Sequence, residues 1–256
     1  MANPTLERQF GTLPATDSTL ASAPVPAVAP PTGDPTMSVG GTAFKTMLLL
    51  ILVVASGSWG WGLVSPETGD TSLPIWWFFV SIAVLGLAIL TAFKPQLAMI
   101  TGPLYAITQG VMIGAFSHIY NAAWDGIVLQ AIIATVAVFI SMLFLFVTGI
   151  IKVTDKFRGI VIGATVAIAL LYLVSFVMSL FGLSSPAYSS GAVGIGFSII
   201  VVGIAALNLM IDFDMVVRGV NAGMPKQFEW YAAFGLTVTI IWLYIEILRL
   251  LAKTRN

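Results

Sequence analysis

Seven stretches of about 20 residues, nearly free of charge, recur along the chain at residues 44–64, 73–93, 97–119, 127–151, 160–183, 190–213 and 228–251. Each is long enough to cross a bilayer as a helix. Within lipid a backbone must satisfy its own amides, and these unbroken apolar runs lack the alternation of barrel strands. The pattern predicts an all-α membrane protein of seven transmembrane helices. "FKPQ" (residues 93–96) predicts a hairpin turn, and Pro103 a kink within the third helix.

The first 42 residues break the pattern. They hold Pro4, Pro14, Pro24, Pro26, Pro30, Pro31 and Pro35 among Ala, Thr and Ser. Such a stretch buries too little apolar surface to offset its ordering entropy. Residues 1–42 are therefore expected to form a disordered tail, and residues 43–256 the transmembrane domain. "APVPAVAPP" could serve as a polyproline ligand, but a plain linker is the simpler reading.

Composition agrees with the pattern: 58% of residues are hydrophobic and 9% charged, with a mean hydropathy of +1.00. The chain carries 11 basic and 11 acidic residues and no basic block, so nothing points to nucleic acid. Without cysteine there is no disulfide, thiolate metal site or cysteine nucleophile. The single histidine, His118, and the absence of hydrolase motifs argue against an enzyme. No cofactor is expected.

Basic residues set the expected orientation. Lys45 stands at the very start of the first span, Lys94 lies in the second loop, Lys152, Lys156 and Arg158 in the fourth, and Arg218 and Lys226 in the sixth. The odd-numbered loops contain none. A multi-pass protein of the plasma (inner) membrane with a cytoplasmic amino terminus follows. Arg249, Lys253 and Arg255 disagree, because seven crossings put them outside; a full crossing of the last helix is still favoured over a re-entrant one. Gly110 with Gly114, and Gly203 with Ala206, are small-residue pairs at the spacing that lets helices approach closely.

Polar residues inside the spans are costly and so informative. Gln109 lies mid-span, one turn from Tyr105, and both are candidates for a pathway. Glu246 and Arg249 are spaced to pair on one helix face, a structural arrangement, though Glu246 is also a pathway candidate. Asp212 and Asp214 sit at or just inside the end of the sixth span, about 200° apart around a helix. Asp214 can reach Arg218, four residues on. Asp212 has no basic partner on its own helix. If sequestered, it is a candidate titrating group; otherwise both acids form a solvated helix end. At 1.5 Å per residue, Asp212 and Thr239 lie of order 10–15 Å from the connecting loop, so they can meet. No metal ligand set is evident.

"ALNLMIDFDMVVRG" (residues 206–219), followed by a short loop and "AAFGLTVTIIWLYIEILRLL" (232–251), resembles the carboxyl-terminal signature of the Bax inhibitor family. "YAITQGVMIGAFSHIY" (105–120) resembles that family's third helix, and "VTDKFRGIVIGATVAIALL" (153–171) is like its bacterial, actinobacterial-type members. The resemblance implies seven helices with the last one central, wrapped by the other six. It also implies a pH-sensitive calcium leak controlled by two aspartates, on the sixth and seventh helices. Asp212 matches the first; the second position falls on Thr239, so one acid of the pair is replaced. The expected function is a cation (calcium) leak gated near Asp212, Thr239 and Asp214, with lipid and an inorganic cation as partners. The alternatives are a non-conducting protein that regulates membrane partners, or a secondary transporter, although no inverted repeat is visible.

Overall fold

A computed structural model describes residues 35–65, 75–182 and 191–255. Seven helices, all long and apolar enough to cross a membrane, run in chain order: α1 (Val39–Trp61), α2 (Ile75–Phe93), α3 (Ala98–Ala123), α4 (Ile127–Val147), α5 (Asp155–Leu180), α6 (Ala192–Asn221) and α7 (Phe228–Arg255). A single 3-10 turn at Pro95–Leu97 links α2 to α3, where the hairpin is predicted, and α3 runs unbroken through Pro103. The "SSPAYSSG" segment and most of the α1–α2 loop lie outside the described residues.

The last helix is the axis of the bundle. α7 packs directly against α1, α3, α4 and α6, while α2 rests chiefly on α3 and α5 on α6. Among the seven, α7 has the most buried span and α2 the least. Outward side chains such as Phe78, Phe79, Ile133 and Val174 are apolar and exposed, as suits lipid contact.

Since lipid tails are as apolar as leucine, association must come from close packing and interhelical hydrogen bonds. Both are present. Along α1 and α3 the backbones nearly touch. A Cβ on Gly114 would strike the Gly57 carbonyl, and one on Gly60 would strike that of Val111. The expected Gly110–Gly114 face is thus the α1–α3 interface. The other expected pair differs: Gly203 has nothing within 4 Å of its Cβ position, and only Ala206 is buried. Side-chain bonds join further pairs: Thr91 to Thr101 (2.7 Å, α2–α3), Ser117 with Tyr244 (2.7 Å, α3–α7) and Asn208 to Thr165 (2.8 Å, α6–α5). Each is worth roughly 0.6–2 kcal/mol in a membrane.

Two expected boundaries shift for electrostatic reasons. Residues 1–34 of the expected tail lie outside the described residues, but residues 35–42 are structured. Ser38 caps α1 by accepting from the Gly41 N–H (3.0 Å), and Glu229 accepts from both the Ser38 N–H (2.9 Å) and its hydroxyl (3.0 Å). Ahead of the cap, Met37 N–H donates to Met224 O (2.8 Å) and Lys226 N–H to Pro35 O (2.9 Å), which ties α1's root to the α6–α7 loop. Likewise α6 does not end at residue 213. It continues two turns to Asn221, because Asp214 and Arg218 neutralise each other there. α7 crosses in one piece, and its terminal cations are partnered: Lys253 donates to Gly194 O and Ser198 Oγ, and Arg255 to Asp125 O and Gln130 Oε1.

The glycine contacts give a direct test. Gly114→Ala forces a methyl into the Gly57 carbonyl and should cost about 1–3 kcal/mol, read as a lower melting temperature in detergent. Gly203→Ala meets open space and should leave the melting temperature unchanged or slightly raised. Equal losses would refute the close α1–α3 approach.

Candidate functional site

Helical geometry separates the two aspartates of α6. Asp212 turns toward α7, with the Thr239 hydroxyl beside its carboxyl. That hydroxyl donates its one proton along its own helix, to Gly235 O at 3.2 Å. One carboxyl oxygen of Asp212, Oδ2, is enclosed and meets no donor among the described residues. Phe213 and Leu236, both buried, close the interface beside it. Among the described residues no cation lies within ion-pairing distance of this carboxyl, in contrast to Asp214, Glu229 and Glu246.

Asp214 faces the other way and is a structural anchor. It pairs with Arg158 at the start of α5 and with Arg218 one turn along α6 (2.7 Å). The expected Asp214–Arg218 contact is therefore present, joined by a second arginine. Arg158 was legible only as an orienting charge of the fourth loop. It sits inside α5 because that helix begins at Asp155, capped by Thr154, whose side chain accepts from the Phe157 N–H (3.2 Å).

The remaining candidates lie elsewhere. Glu246 is buried on α7, accepting from Tyr172 Oη of α5 (2.8 Å) and from Arg249 (3.1 Å), whose guanidinium also stacks over the Tyr172 ring (5.3 Å). Tyr105 packs edge-on against Phe234 at 5.0 Å, inside the α1–α3–α7 core. Gln109 lines a separate small cleft of about 100 Å³ with Trp77 and Arg249. The structure thus brings Asp212 and Thr239 together, and keeps Asp214, Tyr105 and Glu246 apart from them. His118 bonds to Trp61 O (2.8 Å) and stacks on the Trp61 ring, an interfacial role. Among the described residues no group of three or more His, Cys, Asp or Glu side chains could hold a metal ion.

Sequence reasoning missed Glu229. It falls at the very start of the seventh predicted span, and it is almost fully buried there, ion-paired with Lys45, whose ammonium also lies 5.5 Å from the Trp230 ring. Gly41 makes room, since a Cβ there would enter the Glu229 carboxylate. The only local signal was the acid in the first turn of a helix, where the macrodipole favours it.

Glu246 and Asp214 can be tested together. Glu246→Gln keeps an acceptor for Tyr172 but strands the Arg249 charge, and Asp214→Asn leaves two arginines without a counter-charge. Breaking one partner of such a pair is costly when buried and less so when partly exposed. Both variants should lower the melting temperature by several degrees. Any ion flux through the protein should keep its wild-type pH dependence. A flux change with unaltered melting would place either residue in a pathway instead.

A family model described as Bax inhibitor 1 like matches residues 3–256. No curated protein matches the chain. A match over nearly the whole length agrees with the seven-helix bundle and the central final helix, and the chain belongs to the Bax inhibitor 1 like family.

Proposed function

We propose that this protein is a pH-sensitive cation leak whose closed state is held at the α6–α7 interface by Asp212. The observation that carries the reading is the enclosed Asp212 Oδ2 with no donor and no cation against it. A buried polar atom without a partner is costly, and a charge there more so. The protonation state of this carboxyl is therefore linked to how tightly α6 and α7 pack around it. The two buried acids among the described residues, Glu229 and Glu246, each have a counter-charge, which leaves the half-buried Asp212 as the group whose state conformation can control.

Family resemblance supplies the cation, calcium, and a second aspartate that here is Thr239. With one acid in place of two, the proton is not shared between coupled carboxylates. The response to pH is then that of a single group. Hard cations such as calcium prefer several charged oxygen ligands, and this site offers one. A leak that passes cations without binding them tightly fits one acid better than a dedicated calcium site does.

Reconstitution into liposomes tests this. Wild type should pass calcium at a rate that varies with pH. Asn imitates the protonated acid, so Asp212→Asn should hold flux at the wild type's acid-side level at every pH. Thr239→Asp rebuilds a carboxylate pair and should change the steepness of the response. Absence of flux across the whole pH range would favour a non-conducting regulator, and uphill exchange against a second ion would favour a transporter.

A further inference from the structure

A second cavity, larger than the Gln109 cleft, lies on the flank of the bundle. α1 and α4 both pack on α7 but make no substantial contact with each other. The groove between them measures about 530 Å³, with Phe213, Val216 and Leu236 forming part of its floor. Its only polar lining residues are Thr42, Thr46 and Thr135. Each of their hydroxyls donates to its own helix, to Ser38 O (2.9 Å), Thr42 O (2.9 Å) and Ala131 O (2.7 Å). Water would find almost no partners there, and a cavity of this kind stays dry.

We propose that this groove binds one acyl chain of a phospholipid from the leaflet at the α1-root end of the protein. Length supports the match. The groove follows α1 from Val39 to Leu50 and α4 from Thr135 to Val147, which is about 16–18 Å at 1.5 Å per residue. Half of a hydrocarbon core about 30 Å thick is of the same length. The groove therefore spans one leaflet and stops at the midplane. It opens sideways, since Val39, Met47, Val136 and Val147 are all more than half exposed. Charge complements the other end of the lipid. Arg218 follows Val217 at the groove's edge and remains 52% exposed despite its pairing with Asp214. Exposed Lys152 lies in the loop that leaves α4 at Val147. Both cations suit a phosphate. The site stands independently of whether the protein conducts ions.

The full chain, delipidated in detergent, can be titrated with dioleoyl phosphatidylglycerol and followed by native mass spectrometry. Wild type should take up one copy well before further copies add. Ala43→Phe and Val136→Trp each fill the groove and should abolish that first copy, while Ile140→Trp, on the outer face beside it, should not. Lys152→Gln should weaken binding about fivefold, from roughly 1 kcal/mol for a basic residue near an anionic headgroup. In the unmodified protein, a phospholipid with a photoreactive acyl chain should label groove residues such as Leu50 or Phe139. The proposal is overturned if labelling spreads evenly over the outer faces, or if both filled variants keep the first copy. Oleate without a phosphate binding as tightly would also overturn it, as would a lipid-free dimer that covers the groove.

Discussion

A helix at the centre of a membrane bundle can carry polar side chains only if each is answered by another protein group. α7 meets that constraint at both ends. Glu229 is held by Lys45 and by the amide and hydroxyl of Ser38, and Glu246 by Arg249 and Tyr172. Between them Thr237 donates to Ala233 O within the helix. These contacts tie α7 to α1 at one end and to α5 at the other, where apolar burial alone gives little drive. The α1–α3 glycine face then adds dispersion contacts that a single methyl would destroy.

Asp212 is the acid that this scheme leaves out. It lies on α6, one interface from the axis, with a threonine where a cation would neutralise it. Among the described residues its Oδ2 is the only carboxyl oxygen left enclosed without a partner, beside two nitrogens, Trp77 Nε1 and Arg158 Nε, and an unsatisfied polar atom is costly to keep in a packed interface. The apolar groove is lined by Phe213 of α6 and Leu236 of α7, which also flank the Asp212 interface. Under the two proposals, a lipid in the groove and a proton on Asp212 would bear on the same helix pair.

Much of this was legible in the sequence, for stated reasons. Apolar runs fix crossing helices because lipid allows little else, and all seven are present. The 200° separation of Asp212 and Asp214 follows from helix pitch, and their divergent neighbours reflect it. Partners from distant segments were not legible. Arg158 meets Asp214 across 56 residues, and Glu229 meets Ser38 across 191, distances over which local spacing carries no information. Helix ends were misjudged wherever a charge pair extends a helix past its apolar run, as with α6. Gly203 fits the small-residue spacing yet faces open space, because spacing alone does not say which face of a helix meets a neighbour.

The central claim is that Asp212 changes protonation inside the membrane as the protein changes state. Infrared difference spectroscopy of the reconstituted protein between acid and alkaline pH reads this directly, through the carbonyl stretch of a protonated carboxyl. The expected result is one such band that titrates over the same pH range as flux and is missing in Asp212→Asn. A band that persists in that variant, or a spectrum with no protonated carboxyl at any pH, would contradict the account.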